Sequence, residues 1–542
     1  MDGTHYGIDA VVKIEPTFVE AFSNANTPPS VAVANDLLQR FGGAKLRDDL
    51  ISVTVSNSIR QPFATFQLVL SPLPIAGPFT WADLIRPYSL VAIALHRLGT
   101  SGDPAATDVP DPVLLGLVDY AAITEDYSTA EPRRIVRVVG RSLSAVLSDQ
   151  RWWYHHFLSQ NPPPDLREFY EQPPGIVLLR DEVQLRSLGI FATDLDRFKD
   201  VTQRHPVDCM EKAYELFVGS GSAPGFIKLL FADGRTLGDR LRFDAVAARV
   251  NFPDPNARLT GQFIPTTMPE ASCWQVMDHF KPEDFAEFFT DCVGTSVEDV
   301  QCQIIARKPP WAGHIAYGPK GASLAFSPPL AISPAAGFGS GFSVAFNAPG
   351  PGTSLFDGVF GSWNRDEQTV AIDGSDVISQ PVLRRGLDAR ELMNVFEVRP
   401  QIGDASGNTK GDNLAQQEFP PLVDEEPASP SYIRRYGIRK KTIQLNSIPI
   451  FTADGSTRLG VGDPVRHCLA YAALLRHWHR FGPEFWSGTR VLKGRTALRA
   501  GRRLYDVDQR REFYITAVSH HMQLDVPGFT STVQLERGWD LQ

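Results

Sequence analysis

Two stretches of this chain carry the same pattern. Asp49 to Arg141 reads as a run of short antiparallel strands, and Thr496 to Trp539 repeats that kind of run at the other end. In the first, Leu50, Ser52 and Thr54 alternate with Ile51, Val53 and Val55, the period of two that gives a strand one apolar face. The segments "FATFQLVLSP", "SLVAIALHRL" and "VLLGLVDYAAITEDY" continue it, with a turn of helix over Thr80 to Ile85. "RRIVRVVGRSLSAVL" begins as a strand and turns helical after Gly140. Asp103 to Pro112, rich in Pro and Asp, is the loop between two of these strands. Neither stretch holds a catalytic constellation. Two barrel-like β modules without chemistry point to a building part rather than an enzyme.

The segments between them differ in kind. Residues 1–44 read as an irregular N-terminal extension with one short helix over Val31 to Phe41, and residues 45–160 as the first module. The aromatic cluster Trp152, Trp153, Tyr154 and Phe157, followed by Pro162-Pro163-Pro164, marks a boundary. Residues 161–300 read as a mainly helical or mixed domain, with "SCWQVMDHFKPEDFAEFFTDCVG" as two helices, the second starting at Lys281-Pro282-Glu283. Residues 301–400 start with a strand at "IIARKPPWAG" and contain the Gly- and Pro-dense segment 318–352, in which only Lys320 is charged. That segment is too apolar for a solvated linker and reads as a loop packed on its own domain or ordered against a partner. Residues 401–482 form a polar linker and an insert with a helix over Pro464 to Phe481, and residues 483–542 close the chain.

Composition bounds the function. The 542 residues suggest roughly three to four domains. The net charge of −9 argues against coating nucleic acid. Cys209, Cys273, Cys292, Cys302 and Cys468 have no CxxC spacing and read as free, partly buried thiols of a protein folded in a reducing cytoplasm. The N-terminus lacks a signal-peptide pattern, and no apolar run reaches the roughly 18 residues of a membrane span. His477 and His479 flank Trp478 in a helix, about 200° apart, so they do not share a metal ion. His155-His156 and His520-His521, if on strands, point to opposite faces. Glu283, Asp284 and Glu287 read as the solvated face of an amphipathic helix, and Arg434 to Lys441 as a local basic face. No Walker-A, GxSxG, HExxH or strand-following GxGxxG motif occurs. No cofactor is expected.

The order of several fragments resembles the baseplate hub (tail hub) family of tailed phages, which is related to the hub-like part of type VI secretion spike proteins. They are "TWADLIRPYSLVAIAL" with Trp81, Pro87 and Tyr88; "LLGLVDYAAITEDY" with Gly116 and Asp119; and "SCWQVMDHF" through "IIARKPPW" with Trp274, Arg307 and Pro309. "IDGSDVISQPVLRR" with Asp376, "YGIR" with Tyr436 and Gly437, and "EFYITAVSHHMQL…FTSTVQLERG" with Tyr514, Arg537 and Gly538 complete the set. Residues 1–44 and 318–352 fall outside it.

The resemblance implies an α+β fold, predominantly antiparallel β, with two tube-protein-like β-barrels and helical or mixed inserts. The second barrel would combine residues 301–400 and 483–542. It implies a homotrimer whose six barrels form a pseudo-hexameric ring between a six-fold tail tube and a three-fold central spike. The implied partners are the tail tube or a distal tube-initiator protein, the spike, the tape-measure protein and, in a contractile tail, baseplate wedge proteins. DNA would only pass through. The protein would be made in the host cytoplasm and reside in the virion. Two other readings stay open: a tail-tip cell-wall hydrolase, which needs paired carboxylates in a cleft, and a carbohydrate-binding module using Trp152, Trp153 and Trp363.

Overall fold

The structure, a computed structural model, describes residues 7–19, 29–98, 110–126, 133–149, 151–153, 205–220, 223–224, 227, 229–250, 270–281, 285–307, 369–386, 392–400, 422–423, 436–445, 468, 471–472, 475, 479, 482, 485–524 and 528–540. The 318–352 loop, Pro309, Trp363, Glu283, Asp284, His155, His156, His477 and Trp478 lie outside the described residues.

Strands dominate. The first module contains β1 (Gly7–Glu15), β2 (Leu50–Ser58), β3 (Thr65–Leu70), β4 (Leu90–Leu98), β5 (Asp111–Asp126) and β6 (Arg133–Ser142). A middle region contributes β7 (Glu287–Val293) and β8 (Gln301–Arg307). The second module contains β9 (Thr369–Ile372), β10 (Val377–Arg385), β11 (Trp486–Lys493), β12 (Arg503–Asp506), β13 (Arg511–Gln523) and β14 (Gly528–Asp540).

The two modules do not stand as two closed barrels among the described residues. Their strands run on in one 12-stranded sheet, in the order β1-β4-β5-β6-β3-β2-β13-β14-β11-β10, with β12 on β13 and β9 on β12. Every pairing is antiparallel except β9 with β12. The seam is β2 against β13, in register from Ser52↔Gln523 to Ser58↔Ala517. Alternation explains why these two strands meet. Val53 and Val55 face the core opposite Met522 and His520, all buried. On the other face Ser56 Oγ lies 2.7 Å from Ser519 Oγ, and Thr54 Oγ1 lies 3.0 Å from His521 Nδ1. A register slip of one residue would exchange these faces. His520 and His521 thus point to opposite faces, as adjacent strand residues must.

Three expectations are corrected. The N-terminal segment is not irregular: Gly7–Glu15 is a strand, with Ala10, Val12 and Ile14 buried and its whole length paired to β4. The helix at Val31 to Phe41 is present, over Pro29–Phe41. The second helix expected after Lys281 is instead β7. Phe288, Phe289, Thr290 and Val293 are aromatic or β-branched, and Phe288, Thr290 and Cys292 enter one core while pairing with Ala306, Ile304 and Cys302. Glu287 therefore sits on a buried strand, not on a solvated helix face. Finally, Gln301–Arg307 does not start the second module. It pairs with β7 and, in parallel, with Leu241–Phe243.

That three-stranded sheet and the helices Pro206–Val218 and Cys273–His279 make the described part of the middle region mixed. Ser272 caps the second helix reciprocally: its Oγ accepts from the Gln275 N–H at 3.1 Å, and Gln275 Oε1 accepts from the Ser272 N–H at 2.8 Å. The middle core continues onto the outer face of the first module through Leu90, Ala92, Leu115 and Leu117. Val91, Ile93 and Leu95 fill the module's own core from the opposite face of β4. A strand covered on both sides needs the unbroken apolar run "LVAIAL". In the insert, Val395–Pro400 pairs with Leu422–Val423 and, in parallel, with Lys440–Leu445. Cys468, Tyr471, Ala472 and Leu475 are buried at helical spacing. None of the five cysteines is in a disulfide, and all are buried.

Candidate functional site at the junction of the modules

Where the middle region meets the seam, three sequence-distant side chains converge. Glu287 opens β7 and lies directly across from Arg307, the last residue of β8. Tyr514 reaches them from β13. Arg307 Nε donates to Glu287 Oε2 at 3.1 Å, and the Tyr514 hydroxyl donates to Glu287 Oε1 at 2.5 Å. Arg307 Nη2 donates to the Gly501 carbonyl at 2.7 Å and to Tyr514 Oη at 3.3 Å, and the guanidinium lies 5.0 Å from the centre of the Phe289 ring. Gly501 has φ +82°, and a Cβ there would come within 2.4 Å of Arg307 Nη2. The position therefore requires glycine.

Burial pushes the Glu287 carboxyl up, with Arg307 and Tyr514 pulling the other way. Burial also opposes charge on Arg307, but Tyr514 and Glu287 hold its pKa above the ordinary value. Tyr514 is pushed well above the usual phenol range by burial and by the neighbouring carboxylate. With a guanidinium on one oxygen and a hydroxyl on the other, each carboxylate oxygen accepts a hydrogen bond.

In front of this cluster is a cleft of about 500 Å³ between the Ile59–Pro62 turn, the end of the Cys273–His279 helix and the second module. Trp274, Tyr514 and Arg537 line it, and Arg307 supports it from behind. Trp274 stacks on Phe288 with ring centroids 4.1 Å apart. Arg60 Nη2 bonds Glu536 Oε1 at 2.5 Å. Arg537 has φ +55°, and the register shift around it places two residues of β14 opposite one of β11, a β-bulge. Burial pulls Arg537 down to about 9, and its guanidinium lies over the Phe485 ring. A Cβ on Gly538 would lie 2.2 Å from the Phe513 ring, so the bulge ends on glycine.

The other singled-out residues fall into separate places. Tyr88 (φ +67°) and Asp119 line a small cavity of about 60 Å³ with Arg141 and Asp149. Arg141 bridges Asp119 and Asp149 at 2.7 and 2.8 Å, and these two bonds raise its pKa. Gly116 lets β6 approach: a Cβ would sit 2.3 Å from the Arg141 carbonyl oxygen. Trp81 is fully buried and donates through Nε1 to Asp49 at 3.0 Å. Pro87 is exposed beside Tyr88. Asp376 is buried and pairs with Arg495 at 2.7 Å. Gly437 has φ +75°, and its carbonyl, next to Tyr436, accepts from Asn394 Nδ2 at 2.7 Å.

Sequence reasoning missed a series of buried ion pairs that tie the second module together. Arg490 pairs with Asp506 at 2.5 Å and Arg503 with Glu512 at 3.2 Å. Arg499 reaches both Asp291 at 3.1 Å and Asp111 at 3.2 Å, linking the second module to the middle region and to β5. The arginine-rich run from Arg490 to Arg503 was the available signal. Among the described residues no group of three or more His, Cys, Asp or Glu side chains could hold a metal. His479 stacks on Phe396, with ring centroids 5.7 Å apart. No described helix is long and apolar enough to cross a membrane.

No protein-family model and no curated protein matches the sequence. Solved structures similar to this chain include a tail protein from Neisseria meningitidis MC58, at 10% identity and TM-score 0.40, covering 98% of this chain and 96% of that one. Another is the 43 kDa tail protein of prophage MuSo2 from Shewanella oneidensis, at 9% identity and TM-score 0.38, with 98% of each chain covered. A third is a Francisella PdpA–VgrG complex, at 5% identity and TM-score 0.37, in which 98% of this chain aligns with 58% of that one. The structural neighbours are thus tail proteins and a VgrG complex, and at these scores the likeness is too loose to transfer a role.

Proposed function

We propose that this chain is a structural subunit of a phage tail hub, three copies of which form a ring between the tail tube and the central spike. The observation that carries this reading is the shared sheet. Two β modules in one chain are joined edge to edge across β2 and β13, and the main path of the sheet ends at β1 and β10. Repeating the same edge-to-edge step between chains closes a ring with two modules per subunit, which lets a three-fold assembly match a six-fold tube. β10 supports it: Ile378 and Val382 are 54% and 53% exposed, and its outer edge has no strand partner among the described residues.

On this reading the tail tube or a distal tube-initiator protein docks on one side of the ring and the spike on the other. The channel admits the tape-measure protein and DNA, and wedge proteins surround the hub if the tail is contractile. The cleft supplies the observation closest to the hydrolase reading, since Glu287, Glu536 and Asp278 all line it. Both Glu287 oxygens are already engaged, and Glu536 is held by Arg60, which favours a joint over an acid–base pair. Light scattering tests the assembly. The wild type is expected at the mass of three 59.8 kDa chains, and the double variant Ile378→Lys, Val382→Lys at the mass of one. A wild-type monomer at micromolar concentration would remove the hub reading.

A further inference from the structure

β7 and β8 form an antiparallel hairpin in which Cys292 lies directly opposite Cys302. Both side chains enter the same core, and they are 8% and 1% exposed. Residues opposed in an antiparallel pair alternate between hydrogen-bonded sites and closer, non-hydrogen-bonded ones. The Cys292 main chain shows which kind this is. Its N–H donates to Asp291 Oδ1 at 2.8 Å, and its carbonyl accepts from Arg499 Nη1 at 2.8 Å. Both groups have partners outside β8, which fits a non-hydrogen-bonded site, where Cα atoms approach to ~4.5 Å. That separation lies inside the range of ~4.4–6.8 Å that a disulfide spans.

We propose that Cys292 and Cys302 form a cross-strand disulfide site, closed by a small aliphatic disulfide acting as oxidant. The thiolate of one cysteine attacks the oxidant, its S–S bond breaks, and one small thiol leaves with a proton. The second cysteine then attacks the mixed disulfide and releases the other small thiol. Two cysteine thiols are oxidised, and one oxidant disulfide is reduced to two thiols. The core holds both thiols back: burial pushes Cys302 up to about 12 and Cys292 well above the ordinary thiol value. Thiolate is therefore scarce at neutral pH and closure is slow in the folded chain. Cys209 and Cys273 belong to the same core but lie on helices, outside this register.

The test uses the full chain, incubated with 2-hydroxyethyl disulfide at mildly alkaline pH in sub-denaturing urea, then alkylated and cleaved after glutamate. Glu298 lies between the two cysteines, so a closed bridge yields two linked fragments. The expected product joins the Cys292 and Cys302 fragments, is two hydrogens lighter than their sum, and separates on reduction. The oxidised chain is expected to melt several degrees above the reduced one, since the bridge restrains the unfolded hairpin. In Cys302→Ala both the linkage and the melting shift are lost. The proposal is overturned if wild-type Cys292 and Cys302 both stay alkylatable, or if either links mainly to Cys209 or Cys273. The wild-type map decides the matter even if the variant folds poorly.

Discussion

Arg307 is held by four groups at once: the Glu287 carboxylate, the Tyr514 hydroxyl, the Gly501 carbonyl and the face of Phe289. Removing it leaves a buried carboxylate without its counter-charge. Arg307→Ala is expected to cost about 3–5 kcal/mol in urea unfolding. Tyr514→Phe, which deletes the hydroxyl's hydrogen bonds to Glu287 and from Arg307, is expected to cost about 1.5–3 kcal/mol. The two losses are expected to be non-additive in the double variant, because both act on Glu287. A loss under about 0.5 kcal/mol for Arg307→Ala, the level of an ordinary surface change, would show that the cluster does not hold the junction. His520 sets a pH dependence at the neighbouring seam. Its Nε2 lies 3.1 Å from the Leu498 carbonyl, so that nitrogen carries the proton, and Nδ1 accepts from the Ser531 hydroxyl at 2.8 Å. Burial, with help from Arg499, lowers its pKa from 6.5 to about 4. Between those values the unfolded chain binds the proton more readily, so stability rises with pH across that window. The share due to His520 is about 3 kcal/mol, from about 1.4 kcal/mol per pKa unit. Glu287 works in the opposite direction, since a raised carboxyl loses stability as pH climbs through its titration. Comparing the wild type with His520→Gln isolates the histidine: the variant is expected to show a shallower fall between pH 6.5 and 4, and equal slopes would contradict this account.

At the scale of elements, the seam is what makes two modules one body. β13 pairs with β14 along its length, while its first residues also pair with β12 and its last with β2. A proline in the middle of β2 cannot donate to a neighbour and removes a ladder hydrogen bond. Ser56→Pro is therefore expected to split a single calorimetric transition of the two modules into two. Separate transitions already present in the wild type would contradict a shared sheet. Much of this level was legible in the sequence. Period-two alternation located β2 through β6 and the closing strands, because one face of each is buried. Alternation says nothing about which edges meet, so the β2–β13 pairing was not readable. β1 escapes the sequence reading because it precedes any clear turn signal, although Val11 and Val12 are β-branched. β7 was misread because Pro282 and the acids around it imitate a helix start, while the two phenylalanines that decide the matter suit either structure. The cleft was half legible: Trp274, Arg307, Tyr514 and Arg537 stood out through ordered fragments, whereas Glu287 was assigned to solvent because its helix was wrong.

For the whole molecule, the shared sheet gives a physical reason for association. Its outer strands β1 and β10 are edges, and natural sheets protect such edges or use them. β10 carries Pro381, two register shifts and Arg384–Arg385, which guard an edge against unspecific pairing, beside exposed Ile378 and Val382. The middle region, fastened by Arg499 to both Asp291 and Asp111, fixes the second module's position against β5 and hence the angle at which successive subunits would meet. The most direct measurement is single-particle imaging of the purified chain together with its mass in solution. The account predicts a particle of three 59.8 kDa chains with three-fold symmetry, six β modules and a central opening. A monodisperse monomer, its cleft open and its β10 edge bare, would contradict it.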